Sequence, residues 1–221
     1  MQGIKAPKFE TKPFEPHTRE EVEALLKACA KSLDVRTRNR REFKMHCPLM
    51  HRNQAILLVL LDTGLRVGEL CALDIDAYDE KTGKLEVKHG RVGGAKGRKG
   101  RVVYLGKAAR RALWRYLAER DDHMDADAPL FLGHLSRRLR RDTLRQLLRD
   151  LGRRASVKNC HPHRFRHTFA VTYLRSGGDV FTLQAILGHS TLERVQHYAR
   201  LAQLDVEKAH RKASPADNWY L

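Results

Sequence analysis

Two basic residues stand one helical turn apart in the segment Pro162-His-Arg-Phe-Arg-His-Thr-Phe-Ala170, namely His163 and Arg166. A separation of three residues places both side chains on one face of a helix. Pro162 suits the first turn of such a helix, where unpaired backbone N–H groups attract anions. The pair can therefore direct two donors at a phosphate, although a solvated charged surface explains the same spacing.

Three further residues are individually ambiguous. Arg66 follows a glycine turn at the start of a predicted helix and can pair with Glu69 at i+3 without any other role. His189 lies between two short predicted helices, where it can simply cap backbone groups. Tyr198 falls on another predicted helix, where packing is the commonest role of a tyrosine.

The order of these residues is far more specific than any one of them. The strings around them are Thr63-Gly-Leu-Arg-Val-Gly-Glu-Leu70, the Pro162–Ala170 segment and Leu187-Gly-His-Ser190. Lys96 lies between the first two, and Tyr198 follows the last. Over roughly Thr18 to Tyr198 the chain resembles the tyrosine recombinase (phage integrase) family, whose pattern is Arg, Lys, His-x-x-Arg, His, Tyr.

The resemblance implies that DNA is cut and rejoined through a 3′-phosphotyrosine. Tyr198 is then the nucleophile that attacks a phosphodiester and releases a 5′-hydroxyl. Arg66 and Arg166 clamp the non-bridging oxygens, and His189 donates a further hydrogen bond to them. His163 is the general base for the tyrosine proton.

The same resemblance implies a lysine as general acid for the leaving 5′ oxygen. Lys96 is favoured because the run Lys96-Gly-Arg-Lys-Gly-Arg101 is similar to the family's β-turn, and Lys99 is the alternative. Arginines take the place of metal ions in this chemistry and the phosphotyrosine retains the bond energy. No cofactor is therefore predicted.

A zinc site is a weaker interpretation of a different group of residues. His46-Cys47-x3-His51, together with Cys160-His161, offers the ligand types that zinc accepts. The spacing matches no standard site, so no metal is predicted.

Helices must position most of the candidate residues. Thr18 and Glu21 form a capping box for a first helix, and the apolar run from Gln54 to Leu61 predicts a buried helix. Helical patterns also cover 66–73, 108–120, 141–154, 162–175, 179–187, the segment after Ser190-x-x-Glu193, and 204–212. Residues 85–88 and 101–105 have the composition of strands. The fold class is thus α+β, mainly α, with a small antiparallel sheet of about three strands.

The charge balance points to a polyanionic partner. Lys and Arg number 43 against 26 Asp and Glu, which gives a formal net charge of +17. Nucleic acid is the commonest such partner, and a charge excess that serves solubility is the alternative. We expect the clusters 36–41, 137–141 and 153–154 to line a groove for DNA. The individual contacts expected are those of Lys99, Arg101, Arg140, Arg141 and Arg164.

The composition also indicates a compartment. The chain has no run of 18 apolar residues and no apolar segment near its start, which argues against a membrane span and a secretory signal. Four cysteines lie far apart, as is typical of reduced thiols. A cytoplasmic protein with no membrane partner is expected.

Three segments are predicted. Residues 1–17 read as an N-terminal arm, 18–200 as the catalytic domain, and 201–221 as a tail that docks on a neighbouring protomer, with Trp219 and Leu221 as anchors. A tail packed on its own domain is the alternative. The family usually carries another helical domain ahead of the catalytic one, so an isolated catalytic fragment or a minimal enzyme is expected.

The function expected from these observations is site-specific recombination or integration of double-stranded DNA, with the protein assembling as a tetramer in synapsis and remaining a monomer or weak dimer when free. A type IB topoisomerase-like enzyme shares the chemistry and is the alternative. A catalytically silent DNA-binding protein is disfavoured because all six catalytic positions are filled.

Overall fold

The computed structural model describes residues 15–30, 49–88, 100–189, 191–202, 210 and 214–218. The mainly helical prediction with one small sheet is confirmed within these ranges. The helices are α1 (Arg19–Ala30), α2 (Met50–Thr63), α3 (Val67–Ala72), α4 (Lys107–Leu117), α5 (Arg141–Ala155), α6 (Pro162–Arg175), α7 (Val180–Leu187), α8 (Glu193–Ala202) and α9 (Pro215–Asn218). The strands are β1 (Tyr78–Asp79), β2 (Lys84–Val87) and β3 (Arg101–Tyr104).

The three strands form one antiparallel sheet in the order β1-β2-β3. Leu85 of β2 pairs with Val103 of β3, and both side chains are buried. Val102, the neighbour of Val103 in β3, is exposed. This alternation packs one face of the sheet on the core. Arg101 lies opposite Val87 in the register, at the end of β3 nearest to α7.

Helix α6 belongs to both of the hydrophobic clusters that the described residues form. Phe165, near its start, packs in the larger cluster with α1, α2, the sheet, α4 and α5. Ala170, Val171 and Leu174, further along, pack in the smaller cluster with α7 and α8, which includes Tyr198. One rigid helix therefore sets the positions of α7 and α8 relative to the larger core.

Local sequence signals account for most helix ends. Thr18 and Glu21 exchange the two hydrogen bonds of a capping box at the start of α1, and the carboxylate of Asp179 accepts a hydrogen bond from the backbone N–H of Thr182 at the start of α7. Gly64 and Gly188, with φ of 61° each, end α2 and α7 in the left-handed region. These two turns place Arg66 and His189 close after the ends of α2 and α7.

Two boundaries differ from the sequence prediction. Helix α2 begins four residues earlier than predicted, at Met50, and α5 ends one residue later than predicted, at Ala155. A Cβ on Gly152 would lie 2.7 Å from the Cβ of Cys160, so this glycine permits close packing inside the helix rather than ending it. The proposed capping residue Ser190 and most of 204–212 lie outside the described residues.

The last residues of the predicted arm are packed against the domain. The backbone N–H of His17 donates to Thr168 Oγ1 at 2.8 Å, and the His17 ring lies 4.7 Å from the ring of Phe165. Both partners are in α6. The packed structure therefore includes residues 15–17, while 1–14 lie outside the described ranges.

None of the helices in the described ranges has the length and apolar character needed to cross a bilayer.

Candidate active site

Five of the six predicted catalytic residues line one cavity of about 550 Å³. Helix α6 contributes His163 and Arg166, and the turn that precedes α3 contributes Arg66. His189 follows α7, and Tyr198 comes from α8. The remaining lining residues are Leu65, Val67, Pro162 and His197.

Arg166 is buried, with only 3% of its surface exposed, and its guanidinium is held by the backbone. Nη1 donates to the carbonyl oxygen of Gly64 and Nη2 to that of Leu187, each at 2.7 Å, and Nη2 also lies 2.8 Å from His189 Nε2. Burial and the nearby charge of Arg66 lower the pKa of Arg166 to about 9. The residue is still cationic at neutral pH, and its orientation is set by contacts within the protein.

Arg66 is oriented by Glu69. Its Nη1 donates to Glu69 Oε1 at 2.9 Å, its backbone N–H donates to Glu69 Oε2 at 2.8 Å, and Nη1 also reaches the Leu187 carbonyl oxygen at 3.2 Å. Arg66 and Arg166 thus contact the same carbonyl oxygen. Two cations that converge in this way form a site for an anion such as a phosphate.

The Glu69 carboxylate binds a second arginine, Arg101, in addition to Arg66. Burial acts to raise the pKa of Glu69, but hydrogen bonds and charge from Arg101 and Arg66 outweigh burial and hold the pKa at about 2. Glu69 is therefore a carboxylate at any working pH.

Tyr198 is 4% exposed and stacks with His189 at a ring-centroid distance of 6.3 Å. Burial raises the pKa of Tyr198, and the charge of Arg166 only partly opposes this. The hydroxyl is thus protonated at neutral pH and needs a base to become a nucleophile.

His163 is available to act as that base. Burial and then the charge of Arg166 lower its pKa below the ordinary value of 6.5, so the ring is neutral at pH 7. Residue His163 is exposed on one side, at the entrance of the cavity. A neutral, accessible imidazole is suited to accept a proton.

His167, which carried no predicted role, packs against both His163 and Tyr198. Its ring centroid is 4.2 Å from that of His163 and 5.1 Å from that of Tyr198, both in edge-on contact. Burial and the proximity of His163 lower the pKa of His167 to about 4. His167 is therefore a neutral aromatic neighbour of both the predicted base and the predicted nucleophile.

His197 also lines the cavity, and no sequence pattern pointed to it. Its ring lies 6.1 Å from that of Tyr198. The adjacency of the two residues in the chain was the only signal for it.

Lys96 and Lys99, the two candidates for the general acid, lie outside the described residues. Both remain predictions.

The predicted DNA contacts divide into two groups. Arg140 is exposed and Arg141 half-buried at the start of α5, where they can face a ligand. Arg101 and Arg164 instead use their guanidiniums inside the protein. Arg101 binds Glu69, and Arg164 donates to the carbonyl oxygens of residues 15, 16 and 158 and to the carboxylate of Glu21. Both guanidiniums are thus engaged within the protein, and the DNA contacts expected of Arg101 and Arg164 stay predictions.

A basic groove of about 1,290 Å³ continues from the cavity along α5. It shares Val67, Pro162 and His163 with the cavity. Arg145, Arg149 and Arg153 line it at intervals of four residues, opposite the buried leucines of the helix. An extended polyanion can therefore occupy the groove while one of its phosphates enters the cavity.

Two of the residues considered for a zinc site, His46 and Cys47, lie outside the described residues. No group of three or more His, Cys, Asp or Glu within these ranges is arranged to hold a metal ion. Burial raises the pKa of Cys71 to about 11 and that of Cys160 to about 12, so neither is a thiolate at neutral pH.

The sequence profile described as the phage integrase family matches residues 17–204. The chain belongs to the phage integrase family. Among curated members of the family, the tyrosine recombinase XerC of Pseudomonas aeruginosa PAO1 is 34% identical over 167 residues, which are 76% of this chain and 53% of XerC. This integrase-family chain thus spans about half the length of the curated relatives that it matches.

Solved structures agree with this assignment. The XerA recombinase shares 29% identity with this integrase-family chain and a TM-score of 0.68, over 97% of this chain and 68% of XerA. The catalytic domain of bacteriophage HP1 integrase has a TM-score of 0.59 at 23% identity and shares the fold, over 93% of this chain and 98% of that domain. The fold is that of a tyrosine recombinase catalytic domain.

Proposed function

We propose that this protein is a site-specific DNA recombinase that cuts and rejoins double-stranded DNA through a 3′-phosphotyrosine. One observation carries the proposal: Tyr198 lies in the same cavity as Arg66, Arg166 and His163, with His189 stacked on its ring. A buried tyrosine beside two converging cations and a neutral imidazole is the set of groups that phosphoryl transfer to tyrosine requires.

The proposed step is a displacement at phosphorus. The Tyr198 oxygen forms a bond to phosphorus as its proton passes to His163, and the bond from phosphorus to the 5′ oxygen breaks. Lys96 gives the proton that this oxygen takes up to become a hydroxyl. Arg66 and Arg166 stabilise the negative charge on the non-bridging oxygens, and His189 assists them. Rejoining is the reverse of this step and needs no ATP.

The groove along α5 supports the assignment of double-stranded DNA as substrate. Arg145 and Arg153 are 48% and 78% exposed at the side chain, so they remain accessible to phosphates despite their pairing with nearby aspartates. A row of arginines at four-residue intervals tracks a phosphate backbone. Arg140 and Arg141 extend the same row at its beginning.

Organisation and location form part of the proposal. We infer a catalytic domain over 18–200, preceded by an arm and followed by a docking tail at 201–221, and self-association on DNA with a tetramer in synapsis. The described cysteines, Cys29, Cys71 and Cys160, form no disulfide with one another, which suits the reducing cytoplasm where DNA is found.

A pool of nicked duplexes with randomised sequence tests the proposal. Loss of the short strand beyond the nick traps the covalent complex, and sequencing the attached DNA gives the target site. We expect adducts from the wild-type chain and none from Tyr198→Phe, which should keep its DNA affinity. Adducts in Tyr198→Phe would show that another residue is the nucleophile, and their absence from the wild type would overturn the proposal.

Type IB topoisomerase-like activity shares this chemistry, and relaxation of supercoiled plasmid separates the two functions. A recombinase should relax only plasmids that carry the selected site. Equal relaxation of plasmids with and without the site would favour the topoisomerase.

A further inference from the structure

Arg101 is a fixed internal cation behind the active site. Its side chain is 14% exposed and reaches from the start of β3 to α3 and α7. Nη1 and Nη2 donate to the two oxygens of Glu69 at 3.0 and 2.8 Å, and Nε donates to the carbonyl oxygen of Ile186 at 2.6 Å. Two parallel bonds to a carboxylate and a third to a carbonyl leave a guanidinium one orientation.

Glu69 has opposing effects on phosphate binding. Its carboxylate orients Arg66 through two hydrogen bonds. The same carboxylate places a full negative charge beside the arginine that must hold a phosphate. That charge repels phosphate oxygens and weakens the attraction exerted by Arg66, since the interior screens charges poorly.

We propose that Arg101 is a positioning residue for the phosphate clamp, by which we mean Arg66 and Arg166. Arg101 fixes and neutralises Glu69, so that Glu69 orients Arg66 without cancelling its charge. This inference rests on the proposed function and adds a determinant of phosphate affinity to it. With Arg101 present, the formal charge of the group rises from +1 for Arg66, Glu69 and Arg166 to +2.

The contacts of α7 support the same role. Arg101 binds the carbonyl oxygen of Ile186, and both clamp arginines bind that of Leu187, the next residue. The Cβ that a side chain would add at Gly188 would lie 3.2 Å from Arg101 Nη1, so the turn after α7 packs directly on this guanidinium. Arg101 therefore holds in place both the Glu69 carboxylate and the C-terminal end of α7, which the two clamp arginines contact.

A purely structural role is the competing explanation. In that case Arg101 joins β3 to α7, and its loss lowers stability without a specific effect on anions. The double variant Glu69→Gln/Arg101→Met separates the two explanations, because it removes the uncompensated carboxylate together with its partner. Neutralisation predicts that the double variant binds phosphate more tightly than Arg101→Met. A structural role predicts that it binds equally or less tightly.

Binding of inorganic phosphate is the first measurement, followed through the arginine Nε–Hε resonances of ¹⁵N-labelled protein. We expect Arg101→Met to weaken phosphate binding by about tenfold to a hundredfold, the range for one charge removed from a poorly screened site. Arg101→Lys keeps the charge, so its phosphate affinity should lie between those of the wild type and Arg101→Met. Arg110→Met is the matched control, because Arg110 binds the carbonyl oxygens of Glu80 and Lys81 at the edge of the sheet.

The rate of covalent adduct formation on the selected DNA site is the second measurement. Arg101→Met should lower the rate at saturating DNA, and the double variant should recover part of the loss. If wild-type chain forms no adduct, the proposed function fails while the phosphate titration still tests Arg101. Unchanged phosphate affinity in Arg101→Met, or no recovery in the double variant, would overturn the inference. If Arg101→Met does not fold, Arg101→Lys against wild type and the double variant against Glu69→Gln give the same comparison.

Discussion

Arg164 of α6 donates a hydrogen bond from Nη2 to Oε2 of Glu21 in α1 at 2.8 Å. The same guanidinium binds the carbonyl oxygens of residues 15, 16 and 158, so one side chain joins the entry of the chain to the helix that carries His163 and Arg166. Arg164 lies between these two residues in sequence. Residues 15 and 16 are thereby fixed relative to the active site.

Replacement of Arg164 should destabilise the fold. Arg164→Met removes the hydrogen bonds from Arg164 to the Glu21 carboxylate and to three carbonyl oxygens, which we expect to cost about 2–4 kcal/mol in the free energy of unfolding. Urea denaturation measures this. Arg19→Met is the control, because the Arg19–Glu23 pair is exposed to solvent and should contribute little to stability. Equal losses in both variants would contradict an anchoring role for Arg164.

The rate of adduct formation should depend on the protonation of His163. The neutral ring accepts the tyrosine proton, so the rate falls as pH drops through the pKa of His163. Burial and Arg166 lower that pKa, so the midpoint should lie below 6.5 when the rate is measured at subsaturating DNA. His163→Gln should be slower and lack this acid limb. Binding by Tyr198→Phe over the same pH range corrects for affinity, and an unchanged limb in His163→Gln would exclude His163 as the base.

Acid should destabilise the protein through His17. Burial and the charge of Arg164 lower the pKa of His17 to about 4, against 6.5 in the unfolded chain. The unfolded state therefore binds more protons between these values, and the free energy of unfolding falls as pH decreases from 6.5 to about 4.

His17→Gln should make that decline shallower by up to about 1.4 kcal/mol per pH unit, the effect of one proton. Chemical denaturation at a series of pH values measures the slope. His123→Gln, at an exposed position in a turn, is the control. If the slope of His17→Gln equals that of wild type, His17 does not contribute to it.

Binding of DNA should weaken steeply with salt because of the groove along α5. Arg145→Gln/Arg149→Gln should reduce the slope of log affinity against log salt by about 0.9 for each phosphate that the protein no longer neutralises. Arg111→Gln/Arg115→Gln removes the same charge from the exposed face of α4, away from the groove, and should change the slope less. Fluorescence anisotropy with a labelled duplex provides both slopes, and equal effects of the two double variants would argue against the groove.

Cleavage should occur in cis, because Tyr198 fills the cavity formed by its own chain. A mixture of Tyr198→Phe and Arg166→Gln chains then contains no complete site, and we expect no adducts from it. Cleavage in trans would restore adducts, since one chain supplies the tyrosine and the other the arginine. Denaturing gels of the mixture on the selected site distinguish the two outcomes.

Sequence was informative where the signal was local. The capping residues Thr18 and Asp179, the glycine turns and the helical spacing of His163 and Arg166 each depend on neighbours within one turn. The roles of Arg101 and Arg164 were not predictable in this way. Their partners, Glu69 and Glu21, lie 32 and 143 residues away, and a basic residue next to a family motif is equally typical of a DNA contact.

The direction of helix α7 also affects the two arginines of the phosphate clamp. Two guanidiniums in one cavity repel each other, yet the C-terminal end of α7 presents both with the negative pole of a helix dipole and the lone pairs of Leu187. That carbonyl oxygen offsets part of the repulsion and holds the two guanidiniums close together. For the proposed reaction, the consequence is that a phosphodiester meets two arginines that are already oriented.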